Sequence, residues 1–319
     1  MAQTLETLAR RTASMQGIRN VVHTMKTLSV INSAPYEHAA QAIEAYHDTV
    51  LDGLHGFLSR YGPMNAALSH ISERVLVVFG SDHGLCGNYN EALASHVAAA
   101  IQRGDAQAST VLCIGAQIAD ALAGHNITAE RTFFPAASVD GIGRLSNLLT
   151  QHLGDIRNTI HPREMAVSMA YVTRDKKHGQ KPVLSALLPI DSGLLAELHA
   201  KPWVSRSLPS FSMPPDDLFM ALVRSHLFAS LFRAAAEAMV TENAARLALM
   251  QQAEQSVDDR LQDLMSETRT VRQNEITTEL LDVITGFEAL KKGKAPKPRQ
   301  RLIRSDSERS NSKPESETP

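Results

Sequence analysis

The segment most able to do chemistry is Gly80-Ser-Asp-His-Gly-Leu-Cys-Gly-Asn-Tyr-Asn90, between a short apolar run and a helical pattern. Glycines at 80, 84 and 87 would let backbone N–H groups approach a phosphate at a helix N-terminus. The spacing is not GxGxxG, however, and the chain holds no P-loop lysine motif. Asp82 and His83 are the acid/base candidates, yet adjacent loop residues rarely converge on one substrate atom. A tight turn capped by Asp or Asn is the plainer expectation. Thirteen histidines, among them His23, His38, His47, His55 and His70, form no HExxH and no tight carboxylate pairing, so no metal site is expected. Cys86 becomes a reactive thiol only if a cation lowers its pKa; a buried small hydrophobe is the simpler role.

What must position these residues is a chain of 319 residues, 43% apolar and 21% charged, enough for two domains with a real core. Aromatics are only 5%, thin for an enzyme that cages a large ligand. The net charge of −2 excludes a polycation that coats nucleic acid. No run of 18 apolar residues exists, so no bilayer span is expected. Two cysteines, Cys86 and Cys113, make no disulfide framework, which suits a reduced intracellular chain.

Four pieces follow from composition: 1–60, 72–200, 216–290 and 291–319. In the first, Leu5, Leu8, Met15, Ile18, Val22, Met25 and Leu28 share one helical stripe. Pro35 should kink or interrupt that helix, with Gly53, Gly56 and Gly62-Pro63 marking its end. In the second, Arg74–Gly80, Thr110–Gly115, Glu164–Val172 and Pro182–Ile190 are strand candidates. They alternate with helices at Glu91–Gln102, after Gly115 and at Leu145–Thr159, which predicts a largely parallel sheet. In the third, Leu222, Ala229, Ala236, Asn243, Met250, Val257, Leu264, Val271 and Thr278 stand seven residues apart, which is coiled-coil spacing. Its companion seam is poorer, because Arg246, Arg260 and Glu267 interrupt it. The alternative is several shorter helices, broken near Gln251–Ser256, in an all-α bundle.

The order of long helix, α/β domain and longer helix resembles the gamma subunit of F-type ATP synthases. The segments that carry the resemblance are Val22-Val-His-Thr-Met-Lys-Thr-Leu-Ser, Ser81–Asn90, Thr241-Glu-Asn-Ala-Ala-Arg-Leu-Ala-Leu-Met250 and Val271-Arg-Gln-Asn-Glu-Ile-Thr-Thr-Glu-Leu-Leu-Asp-Val-Ile-Thr-Gly286, spanning 1 to about 290. The resemblance implies an α/β fold in two parts: an antiparallel coiled coil of the two terminal helices, and a central Rossmann-like domain at its foot. It also implies a non-catalytic rotor shaft without cofactor. Its partners would be the alpha and beta ring subunits, an epsilon subunit and the membrane rotor ring. Met25, Lys26, Arg272, Gln273 and Thr277 would then meet the ring, while Gly84, Cys86, Gly87 and Asn90 would be structural in the foot. The other candidate functions are a nucleotide-binding α/β enzyme with helical extensions, and a coiled-coil scaffold unrelated to ATPases.

Several features depart from the family pattern. Pro35-Tyr36 follows Met25 by only ten residues, so a basic stretch is missing; His83 and Asn88 replace a cation and a glycine. Residues 291–319 are extra: Lys291–Arg304 hold seven cations and no acid, and 305–319 hold two cations and four acids, the composition of a disordered tail. These departures suggest a divergent branch of the family. The first 36 residues carry one acid, Glu6, against Arg10, Arg11, Arg19 and Lys26, a weak imitation of a presequence. A bacterial protein peripheral to the cytoplasmic face of the membrane is the expectation.

Overall fold

The computed structural model describes residues 4–63, 73–104, 108–159, 165–175, 179–204 and 206–292. The tail from 293 onward lies outside them, as do the expectations placed on it. The chain divides into two compact units, Ala13–Leu261 and the pair Met1–Thr12 with Gln262–Pro319.

The sheet belongs to the larger unit. Strands β1 (Glu73–Phe79), β2 (Thr110–Ile114), β3 (Arg131–Phe133), β4 (Met165–Asp175) and β5 (Gly179–Leu188) lie in the order β3-β2-β1-β4-β5. The pairings β1–β2, β1–β4 and β2–β3 are parallel, and only β4–β5 is antiparallel. Helices α2 (Tyr89–Arg103), α3 (Ala116–Gly124) and α4 (Val139–Thr159) make the crossovers, and α5 (Ser192–Ala200) follows the sheet. Three-residue β3 and α5 are elements that composition did not reveal.

Alternation along the strands sorts side chains to two faces. Val75, Val77 and Phe79 of β1 join one core, and Leu76 and Val78 join the other. The second core is roofed by α2 and α3 through Leu93, Val97, Ile118 and Leu122. The first is covered by α4 and by two long helices, α1 (Leu5–Tyr61) and α6 (Pro215–Lys292). Tyr36, Ala39 and Ala40 come from α1; Leu231, Ala234, Ala235 and Ala238 come from α6.

Helix α1 runs without a break through Pro35, Gly53 and Gly56, contrary to expectation. An internal proline costs about 3 kcal/mol through its missing N–H and its crowding of the preceding turn. Burial of Tyr36, Ala39, Ala40 and Ile43 just beyond it supplies the compensating stabilisation. Helix α6 is likewise unbroken over 78 residues, which removes the bundle of shorter helices. Alone among the described helices, α6 has an 18-residue window apolar enough to cross a bilayer (mean hydropathy 1.3), and 44% of that window is buried inside the protein.

Candidate functional site

The working feature is the pair α1–α6, because it carries most of the residues singled out in the sequence. Within the larger unit their contacts run in opposite numerical order. Phe57 meets Phe219, Tyr46 meets Phe228, and Glu44 pairs with Arg233. Further along, Lys26 and His23 both reach Glu254, and Arg19 reaches Asp258. Rising numbers on one helix and falling numbers on the other define an antiparallel pair. On α6 of this unit the seven-residue repeat is buried at Ala229, Ala236, Asn243, Met250 and Val257 and half-buried at Leu222; in the smaller unit Leu264 is buried, Val271 half-buried and Thr278 exposed. Among the buried residues of α1, Leu8, Val22, Ser29, Tyr36, Ile43, Val50 and Phe57 fall on one seven-residue spacing, with Met15 half-buried between the first two, while Ala39, Ala40, Leu54, His55 and Leu58 are buried off it. That is a second seven-residue repeat, masked in the sequence by its serine and tyrosine. Ile18 and Leu28, placed on the expected stripe, are instead 47% and 51% exposed.

Met25 and Lys26 sit half-buried on this pair. The Lys26 ammonium donates to Glu254 Oε2 at 2.6 Å, and His23 Nδ1 lies 3.2 Å from Oε1 of the same carboxylate. The hydrogen bond from Lys26, then that from His23, holds the Glu254 carboxyl below its ordinary pKa. Lys26 is therefore engaged across the helix pair. Arg272, Gln273 and Thr277 are exposed on α6, and the Thr277 hydroxyl donates back to the Gln273 carbonyl. From Arg272 to Lys291 every residue is exposed, including Ile276, Leu280, Ile284, Phe287 and Leu290.

Inside the loop 81–90, Asn90 is the organiser. Its Oδ1 accepts from the Ser81 N–H at 3.0 Å, and its Nδ2 donates to Ser81 Oγ at 2.7 Å. Cys86 is buried, with its Sγ 3.5 Å from Ser81 Oγ. Gly87 has φ +64°, a conformation that favours glycine, whereas exposed Gly84 has open space around it. Gly80 is tight for another reason: a Cβ there would lie 2.3 Å from Ile118 Cβ. Asp82 Oδ1 accepts from the Ala116 N–H at the start of α3, so a carboxylate already occupies that positive helix end. These residues tie two βα turns together.

Three groups fix this domain to the helices: Tyr89 and Thr241, inside segments that carry the resemblance but given no role there, and Arg174, outside them. The Tyr89 hydroxyl donates to the Ala238 carbonyl at 3.1 Å and lies 3.2 Å from Thr241 Oγ1. Thr241, fully buried, donates to the Val172 carbonyl of β4 among other acceptors. Arg174, also on β4, reaches Glu237 on α6 and Glu37 on α1. Glu242 is buried against Arg246 Nη2 at 2.6 Å; burial raises its carboxyl pKa and Arg246 opposes the rise. The signal that could have found them is the Thr241-Glu242 pair amid alanines, polar residues where a helix otherwise packs tightly.

Comparisons with known proteins agree with this architecture. The profile of the family described as ATP synthase matches residues 4–290. The ATP synthase gamma chain of Dictyoglomus thermophilum is 25% identical over 295 residues, covering 90% of this chain and 98% of that protein. That of Nitratidesulfovibrio vulgaris (strain Miyazaki F) is 27% identical over 290 residues, covering 86% and 96%. A chain in the Euglena gracilis mitochondrial ATP synthase structure containing OSCP, F1 and the c-ring shares the fold, with a TM-score of 0.59 at 17% identity over 94% of this chain and 99% of that one. With its profile matched almost end to end and its two terminal helices paired beside a five-stranded sheet, this chain belongs to the ATP synthase gamma-chain family.

Proposed function

We propose that this chain is the central-stalk rotor shaft of an F-type ATP synthase or ATPase. The observation that carries this is the antiparallel α1–α6 pair, sealed by seven-residue seams on both helices and joined rigidly to an α/β domain. The chain transmits torque and does no bond chemistry of its own. Its glycine loop is bonded internally, Asn90 to Ser81 and Asp82 to Ala116, and the buried Glu242 is paired with Arg246 one turn along the same helix. The alpha and beta subunits form the surrounding ring, and each orientation of the shaft favours a different conformation of the catalytic sites by differential contact energy. The exposed apolar residues between Ile276 and Leu290, on a helix otherwise rich in charge, suit insertion into a protein collar. The α/β domain faces an epsilon subunit and the membrane rotor ring, peripheral to the cytoplasmic side of a bacterial inner membrane.

Arg272 and Gln273 are the proposed ring contacts. Arg272→Ala with Gln273→Ala, in the reconstituted complex, should lower coupled ATPase activity while assembly is kept. Unchanged coupling would remove these two residues from the contact.

A further inference from the structure

We propose that Arg174 is the positioning residue that locks the α/β domain to both helices of the shaft, so that torsional load passes between them through one guanidinium. This rests on the rotor reading above. On the helix side the apolar contact with the sheet mixes alanines (Ala39 and Ala40 on α1, Ala234, Ala235 and Ala238 on α6) with the larger Tyr36, Leu227 and Leu231. Such burial holds two surfaces together but has little directional preference of its own. Directional bonds must resist the twist.

They converge on one short stretch of α6. Arg174 Nε donates to Glu237 Oε1 at 3.1 Å and Nη2 donates to Oε2 at 3.3 Å, a two-pronged arrangement that fixes orientation as well as distance. The Arg174 backbone N–H also donates to Glu237 Oε1 at 3.0 Å, and the Thr173 hydroxyl donates to it at 3.4 Å. Four residues on, the Thr241 carbonyl accepts from Gln180 Nε2 of β5 at 2.8 Å. The third prong distinguishes Arg174 from these neighbours: Nη1 donates to Glu37 Oε1 on α1 at 2.9 Å. One strand residue thus holds both antiparallel helices at one level. The Glu237 side chain is 15% exposed, whereas those of Arg174 and Glu37 are 48% and 43% exposed. Lysine cannot reproduce the arrangement, because a single ammonium lacks the planar fork.

The test uses assembled ATP synthase containing this chain, with its catalytic ring immobilised and a probe on the α/β domain. Angular spread of the probe is recorded during a catalytic dwell, well below the melting temperature, together with ions moved per ATP in the membrane-embedded complex. Arg174→Ala should widen the spread most and lower the ion-to-ATP ratio. Arg174→Lys should fall between it and wild type. Glu37→Gln, at an exposed position that leaves the Glu237 prong intact, should also widen the spread without a change in Tm. A purely structural residue would lower Tm and leave both readouts at wild-type values; that outcome overturns the proposal. If the wild-type probe does not rotate at all, the rotor reading itself fails.

Discussion

Acidification should unlatch α1 from α6 through His226. This residue is 8% exposed on α6, its Nδ1 is buried without a hydrogen-bond partner, and its ring lies 5.3 Å from that of His47 on α1. Burial first, and His47 second, push its pKa down from 6.5 to about 4. The groups facing His47 are Arg233, which lowers its pKa alongside burial, and Glu44 and Asp48, which oppose. Because the folded chain refuses a proton that the unfolded chain accepts, stability falls as pH drops from 6.5 toward 4, then levels off. At 1.36 kcal/mol per unit, the loss is about 3 kcal/mol. The perturbation is His226→Phe, which keeps a ring, cannot titrate and removes the orphan nitrogen. Urea unfolding followed by circular dichroism at several pH values would compare the two proteins. Carboxylates such as Glu254 titrate in both, so the difference between the curves isolates His226. Wild type should lose about 3 kcal/mol more than the variant on acidification. Parallel curves would refute the assignment.

Two further outcomes follow from the α/β domain. Gly115 has φ +106°, and a Cβ there would lie 2.4 Å from the Ser81 carbonyl oxygen, so Gly115→Ala should destabilise by about 3 kcal/mol or more, read as a fall in urea midpoint; a change below about 0.5 kcal/mol would show that the two turns can separate freely. Cys113 is fully buried and burial pushes its thiol up to about 12, so iodoacetamide at mildly alkaline pH should leave it unlabelled until urea unfolds the chain; native labelling at the rate of a free thiol would contradict the packing.

The parts of this structure visible in the sequence are those written by periodicity. Of the nine residues that the seven-residue spacing names on α6, Ala229, Ala236, Asn243, Met250, Val257 and Leu264 are buried, Leu222 and Val271 are half-buried, and Thr278 is exposed. Strand runs around Val75–Phe79 and Val111–Ile114 were legible because both faces of a parallel sheet are covered, which demands near-continuous apolar residues. On α1 the same spacing went unread. Its seam passes through Ser29, whose hydroxyl is satisfied by the Met25 carbonyl, and Tyr36, whose hydroxyl donates to the Ala136 carbonyl. Apolarity alone pointed instead to Ile18 and Leu28, which face outward. Pro35 predicts a kink or interruption on local cost alone, and α1 continues through it because the packing beyond it is not a local property. The clamp residues were invisible for a different reason: Arg174 and Glu237 are 63 positions apart, and only the fold brings them together.

The pairing of α1 with α6 also sets an order of events during synthesis. Lys26 and Glu254 are separated by 228 residues, which at cellular translation rates is a delay of about 10–45 s. For that interval α1 is present without the surface that seals its seam. The strands from Glu73 to Leu188, by contrast, form a contiguous block that can close before the final helix emerges. The sheet is then a template already standing when the C-terminal segment arrives. The ribosome therefore delivers the last strip of this protein onto a sheet with one face still awaiting its cover, with the first strip waiting beside it.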